Sequence, residues 1–301
     1  MLSIKESNAD IIVALYQKEN LYVYRTFSHT DIIKTCSNGR SPTSALHPDP
    51  APPLLYGSIR RKICEWMYQV VDYYQYDRKL TLIGMNYFDR FLDNKINDLN
   101  YNVFDKEEMQ LIGLTSLYVA CKVHGCSSVL DSFVKLSSGK FLRSDVERME
   151  VKLLFTLRWL LNPPLPQVCS AFLTRQVLRN SQNHESLFKM VLEVSNYVIE
   201  TLVLNEHYSH EMPSVIGCAA TLISFNGMKK SLTLDLRERF FNEIEDLTFI
   251  SKERILVVES EINDMLRPSN MHFSLQEIHQ CLDPNGLIYE NFTGPPDLLP
   301  T

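Results

Sequence analysis

Glycine is scarce, with ten in 301 residues, and the chain contains no glycine-rich phosphate loop. It also lacks a His-x-x-x-His or Cys-x-x-Cys metal pattern and a nucleophile elbow. These gaps exclude the usual parts of a nucleotide-hydrolysing, metal-dependent or serine-nucleophile enzyme, so the chain is expected to be no enzyme and to need no cofactor or metal. Basic charge is in deficit: 30 Lys and Arg against 36 Asp and Glu leave a net charge of −6, which offers no footprint to a phosphate backbone or an anionic bilayer. No nucleic acid and no membrane is therefore expected as a partner. The seven cysteines are odd in number, scattered and mostly set in apolar helical runs, where a thiol acts as a small hydrophobe. That usage predicts a reducing, intracellular setting and argues against structural zinc. No uninterrupted apolar run reaches the roughly 20 residues that spanning a bilayer requires. The opening stretch MLSIKESNADIIVALYQKEN breaks its apolar residues with acids and Asn and has no small-residue cleavage site. A protein neither secreted nor membrane-embedded is expected.

What the chain does have is helical periodicity. With 45% hydrophobic and 22% charged residues it can bury two ordinary cores without staples. Apolar positions recur at three and four spacing, while strand-like alternation is scarce. A first helix is predicted from Ala9 to Tyr24, followed by the Pro-rich stretch SPTSALHPDPAPP, whose prolines fix φ and remove donors. Five helices follow, predicted over Leu55–Tyr74, Leu80–Asp93, Lys106–His124, Val129–Leu136 and Ser144–Leu157. Pro163, Pro164 and Pro166 then form the strongest interior break. Five more are predicted over Gln167–Leu178, Glu185–Leu202, Pro213–Phe225, Leu236–Leu247 and Ser251–Met265. The resulting division is 1–53 for the first helix and linker, 54–162 and 163–267 for two helical domains, and 268–301 for a tail with no fold of its own.

Four charged residues stand out on this frame. Arg60 lies in IRRKICEW, Asp89 in MNYFDRFL (Met85 to Leu92), Lys122 in SLYVACKV and Glu150 in ERMEVKLL. Each falls on an amphipathic segment whose packing gives no reason for a charge at so regular an interval. Together with Leu111 they match the five positions usual in the cyclin box, and the chain resembles the cyclin family, nearest in pattern to A- and B-type cyclins. The resemblance implies an all-α protein of two tandem five-helix cyclin folds with an N-terminal helix. It also implies a regulatory subunit that binds and switches on a cyclin-dependent serine/threonine kinase in cell-cycle control, working in nucleus and cytoplasm.

Site roles follow from the same resemblance. Arg60 and Asp89 are expected to form an ion pair inside the first box, with Leu111 in its core. Lys122 and Glu150 are expected to hydrogen-bond to the kinase backbone beside its regulatory helix, with Val119, Val123, Leu154 and Trp159 as the apolar surround. The first helix of A- and B-type cyclins also carries a docking groove for kinase substrates and inhibitors; here its counterparts are Ile59, Ile63, Trp66 and Gln110, with Gln69 where the family has an acid. Val123, His124 and Gly125 replace an aromatic and two acids common after the family's Lys, which leaves the choice of kinase open.

Two short patterns remain. Lys18-Glu19-Asn20 spells a degradation box on a predicted helix, and Ser41-Pro42 is a proline-directed phosphorylation pattern in the Pro-rich stretch. The rival reading from another class is a transcription factor of the IIB type or another cyclin-fold scaffold. A IIB-type protein carries a zinc ribbon and basic faces, and this sequence shows neither.

Overall fold

The computed structural model describes residues 14, 17–22, 53–96, 106–125, 130–179, 184–226, 228, 230–245 and 251–266. Among these there are helices and no strand. The regular elements are α1 (Pro53–Tyr73), α2 (Lys79–Ile96), α3 (Lys106–Val123), α4 (Leu130–Leu136), α5 (Arg143–Thr156), α6 (Pro166–Leu178), α7 (His184–Val203), a 3-10 turn (Glu206–His210), α8 (Pro213–Asn226), α9 (Lys230–Glu245) and α10 (Lys252–Leu266). The chain divides into two compact units. One holds α1 to α5, Val203 and the 3-10 turn, and the other holds α6, α7 as far as Leu202, and α8 to α10 with the described residues before 23. The Pro-rich stretch with Ser41, the tail from 268 and most of the predicted first helix lie outside the described residues; 14 and 17–22 are helical.

The unit of α1 to α5 is built around α3, which packs on α2, α5 and α1. Its sequence is apolar almost all round, and Ile112, Leu114, Leu117, Val119 and Ala120 are all fully enclosed. Gly113 is the residue that lets α1 in, because a Cβ there would lie 2.7 Å from Ile63 Cγ2. Asp77 starts α2 by accepting the Lys79 N–H at 3.0 Å, and Asp145 starts α5 by accepting the Leu142 N–H at 2.8 Å. Each satisfies a donor that has no partner within its own helix.

The second unit repeats the plan around α8, which packs on α6, α10 and α9. Gly217 plays the corresponding part here: a Cβ would sit 2.4 Å from the Pro166 carbonyl oxygen, so only glycine admits α6 so closely. Ser170 and Thr221 hydroxyls meet at 2.8 Å across that contact. Glu19 closes the start of α8. Its carboxylate accepts the Ser214 N–H at 2.6 Å and the Ser214 hydroxyl at 2.7 Å, and burial pushes its pKa up while these bonds pull it down. Lys18-Glu19-Asn20 is thus helical, with its central residue enclosed.

Two elements depart from the periodicity. Helix α9 begins at Lys230, well before Leu236. Leu232, Leu234 and Leu236 alternate in sequence like a strand, yet Leu236 is buried and Leu234 exposed, and the Thr233 hydroxyl donates to the Phe225 carbonyl at 2.8 Å. That bond ties the turn to α8 and lets the helix start early. The 3-10 turn Glu206–His210 had no apolar signal. It rests on a side-chain bond, Asn205 Oδ1 accepting the His207 N–H at 3.0 Å, and on the burial of Tyr208.

Candidate functional site

Arg60 on α1 and Asp89 on α2 face each other inside the first unit. Nε and Nη2 of Arg60 donate to the two Asp89 carboxylate oxygens, each at 2.8 Å, with side chains 1% and 6% exposed. The remaining Nη1 donates to the Val203 carbonyl at 2.8 Å. The guanidinium therefore ties three chain segments at one buried point, in the two-pronged geometry that suits an arginine fork. His210 lies nearby; burial lowers its pKa, and the Asp89 charge opposes that shift.

The second pair is at the surface. Lys122, in the last turn of α3, donates to Glu150 Oε1 on α5 at 2.7 Å, with side chains 53% and 14% exposed. The hydrogen bond to Glu150 raises the Lys122 pKa, and the ammonium also lies 5.5 Å from the Tyr118 ring centroid. Val123, next to Lys122 in the chain, and Trp159, beyond the end of α5, are exposed, and Leu154, one turn after Glu150, is partly so. Val119 is different: it is fully enclosed and supports α3 from beneath, so it offers no apolar surface to a partner.

Three further exposed apolar residues that the motif alone did not select belong to α5 and its start: Val151, Phe155 and the N-cap residue Leu142. Phe155 and Trp159 stand edge to face with centroids 6.4 Å apart. The signal was in the sequence. Val146, Met149 and Leu153 already supply the core stripe of α5, so Val151 and Phe155, four residues apart on the same helix, form a second apolar stripe with no core left to cover, and Trp159 meets Phe155 from the turn beyond the helix.

The expected docking groove is not an open surface. Ile63, Trp66 and Gln110 are essentially inaccessible and Ile59 nearly so, while Gln69 is partly exposed. Ile63 packs on Gly113, and Gln110 Oε1 accepts the Lys140 ammonium at 2.5 Å. Ile63 is thus spent on joining α1 to α3. Trp66 Nε1 is left without a hydrogen-bond partner. Leu111, expected in the core, is partly exposed, because it shares the solvent-side face of α3 with Glu107 and Glu108.

No group of three or more His, Cys, Asp or Glu is placed to hold a metal among the described residues, and none of their helices is long and apolar enough to cross a membrane. Residues 28–162 match the family model described as Cyclin, N-terminal domain, a span that contains all four charged residues above. Cyclin-A1-2 of Arabidopsis thaliana is 24% identical over 169 residues, 56% of this chain and 36% of that protein. G2/mitotic-specific cyclin-B2 of Oryzias latipes is 25% identical over 179 residues, 58% of this chain and 42% of that one. The chain thus spans well under half the length of these relatives. A chain in the structure of the CAK complex from Chaetomium thermophilum bound to ATP-gamma-S superposes with a TM-score of 0.53 at 16% identity, covering 83% of this chain and 74% of that one. That likeness shows the fold, which is all-α, and with the domain match and the named relatives it places this chain in the cyclin family.

Proposed function

We propose that this chain is a regulatory subunit that binds and activates a cyclin-dependent serine/threonine kinase and contributes no catalytic residue itself. The observation that carries the reading is the Lys122–Glu150 pair, with its ammonium half in solvent, in a unit that also leaves Val123, Phe155 and Trp159 exposed. An ammonium donates and a carboxylate accepts, so the two together can satisfy the free carbonyl and N–H groups at the end of a partner helix. The exposed aromatic pair Phe155–Trp159 offers apolar area to the same partner. Held in that way, a kinase regulatory helix keeps its glutamate on the ATP-site lysine, and the activation loop can order. Cell-cycle control in nucleus and cytoplasm is part of the same proposal. It draws support from relatives named as A-type and mitotic B-type cyclins.

The test is Lys122→Glu, assayed with a panel of purified cyclin-dependent kinase catalytic subunits and a peptide substrate. Activation should be lost, because two acids then face the partner where a donor stood, while the melting temperature stays within a few degrees of wild type for a surface site. Full activation by the variant overturns the assignment, and loss of folding makes the pair structural.

A further inference from the structure

After α5 the chain makes a turn that isolated peptides avoid. Arg158 and Trp159 have φ of 52° and 59°, two consecutive non-glycine residues in the left-handed region, where an L side chain crowds its own backbone. Conformations of this kind persist only when the surroundings impose them. Here the imposing groups come from other helices. Arg90 on α2 is 6% exposed, and it donates from Nη1 to the Leu160 carbonyl at 2.9 Å and from Nη2 to the Leu157 carbonyl at 3.2 Å. The buried Tyr87 hydroxyl donates to the Leu161 carbonyl, and His124 Nε2 lies 3.0 Å from the same oxygen. The carbonyls on both sides of the turn are therefore held from α2 and the end of α3.

What this arrangement holds in place is the opposite of a core. Trp159 is 62% exposed and Phe155 69% exposed. A fold gains nothing for its own stability by straining its backbone to project a tryptophan into water, since burial of that area is what would stabilise it. The geometry makes sense when the aromatic pair is an anchor prepared for a partner, because ordering it before binding removes a cost of association.

We propose that Arg90, assisted by Tyr87 and His124, is a positioning residue for partner binding. It fixes the Arg158–Trp159 turn so that Trp159 and Phe155 form a preformed knob for an apolar pocket on the kinase, beside the Lys122–Glu150 pair. The inference rests on the kinase-binding reading above. It adds that affinity and choice of partner depend on buried residues that never touch the partner, and that His124, which departs from the family pattern, acts through the turn and not by contact.

Two measurements separate this from a merely structural role. The chain has two tryptophans, so Trp66→Phe leaves Trp159 as its own reporter. In that background Arg90→Met should speed the fluorescence anisotropy decay of Trp159 while far-UV circular dichroism stays unchanged. An unaltered decay overturns the proposal, whether or not any kinase binds. Where Arg90→Met fails to fold, Tyr87→Phe removes one bond of the clamp, keeps the ring, and takes its place. The second measurement is a double-mutant cycle on kinase affinity. Arg90→Met should weaken binding about tenfold when Trp159 is present and leave it unchanged in a Trp159→Ala background, as expected of groups that act as one unit. Equal losses in both backgrounds overturn the positioning role. A wild-type chain that binds no kinase refutes the functional reading alone, and the anisotropy result then still decides the clamp.

Discussion

Two ion pairs in the same unit, nearly equal in length, have opposite surroundings. Arg60 and Asp89 meet at 2.8 Å with almost no exposed surface; Lys122 and Glu150 meet at 2.7 Å with the lysine half in water. Distance alone would rank them together. Solvent separates them, because a buried pair left incomplete strands a charge in a medium that cannot solvate it, whereas water takes over at once when an exposed partner is removed. The first pair is therefore a joint between helices. The second is expected to add little to the fold, and under the proposed function it serves a partner.

The sharpest way to break that comparison is Asp89→Ala. It leaves the Arg60 guanidinium enclosed beside the Val203 carbonyl with its carboxylate partner gone. The expected cost is about 3–5 kcal/mol, read from urea unfolding midpoints at constant slope. Replacing both partners, Arg60→Met with Asp89→Leu, should recover a large part of the loss, since two apolar residues of similar volume strand no charge. An Asp89→Ala protein that unfolds within 1 kcal/mol of wild type would put the two pairs in one class after all.

Much of this was legible before any coordinates. Each of the ten described helices overlaps a segment marked by apolar spacing, and the central place of α3 and α8 followed from segments apolar on every side. That is a local signal with a period. What stayed hidden depends on long-range contact. No pattern in NEHYSH announces a 3-10 turn, because the turn is stabilised by Asn205 and by a Tyr208 that finds its cover elsewhere in the fold. The identities of Ile63 and Trp66 agreed with a peptide groove and equally with a helix joint. The approach of α1 at Gly113 places Ile63 in a joint, and Trp66 is enclosed with it in the first unit. In the same way the sequence marked Lys122, Glu150 and Trp159, but not the buried Arg90 that holds the turn carrying Trp159 in place.

A smaller effect sharpens what burial does to one carboxylate. Asp93, on the same helix as Asp89 and also buried, has its pKa pushed up to about 6, with burial as the cause. A raised acid pKa means that the folded state holds its proton more tightly than the unfolded chain. The associated stability is complete below the ordinary value of 3.8 and is lost as pH rises through about 6. At pH 7.5 the side chain is a desolvated anion. Asp93→Asn should then stabilise the protein by on the order of 1–3 kcal/mol, and the gain should vanish near pH 4. Melting curves at the two pH values check this, and a gain independent of pH would mean that Asn acts by packing and not by charge.

The smallest effect is expected at the surface pair, and its smallness is the point. Lys122→Ala removes the hydrogen bond to Glu150 but leaves that carboxylate at the edge of solvent, where water can replace the lost donor. Exposed pairs of this kind contribute about 0–1 kcal/mol, and with the lysine half exposed the upward shift of its pKa does not translate into more. The Glu150 bond raises the Lys122 pKa above the 10.5 of a free lysine, so whatever stability it contributes is complete below that value and is lost only at a more alkaline pH, outside any ordinary assay. The variant and wild type should therefore unfold within 1 kcal/mol of each other at pH 7, and added salt should narrow the gap further. Kinase binding should fall over the same conditions. A loss of 3 kcal/mol or more would show that Lys122 holds α3 to α5 as Arg60 holds α1 to α2, and the contrast between the two pairs would dissolve into a difference of exposure with no difference of role.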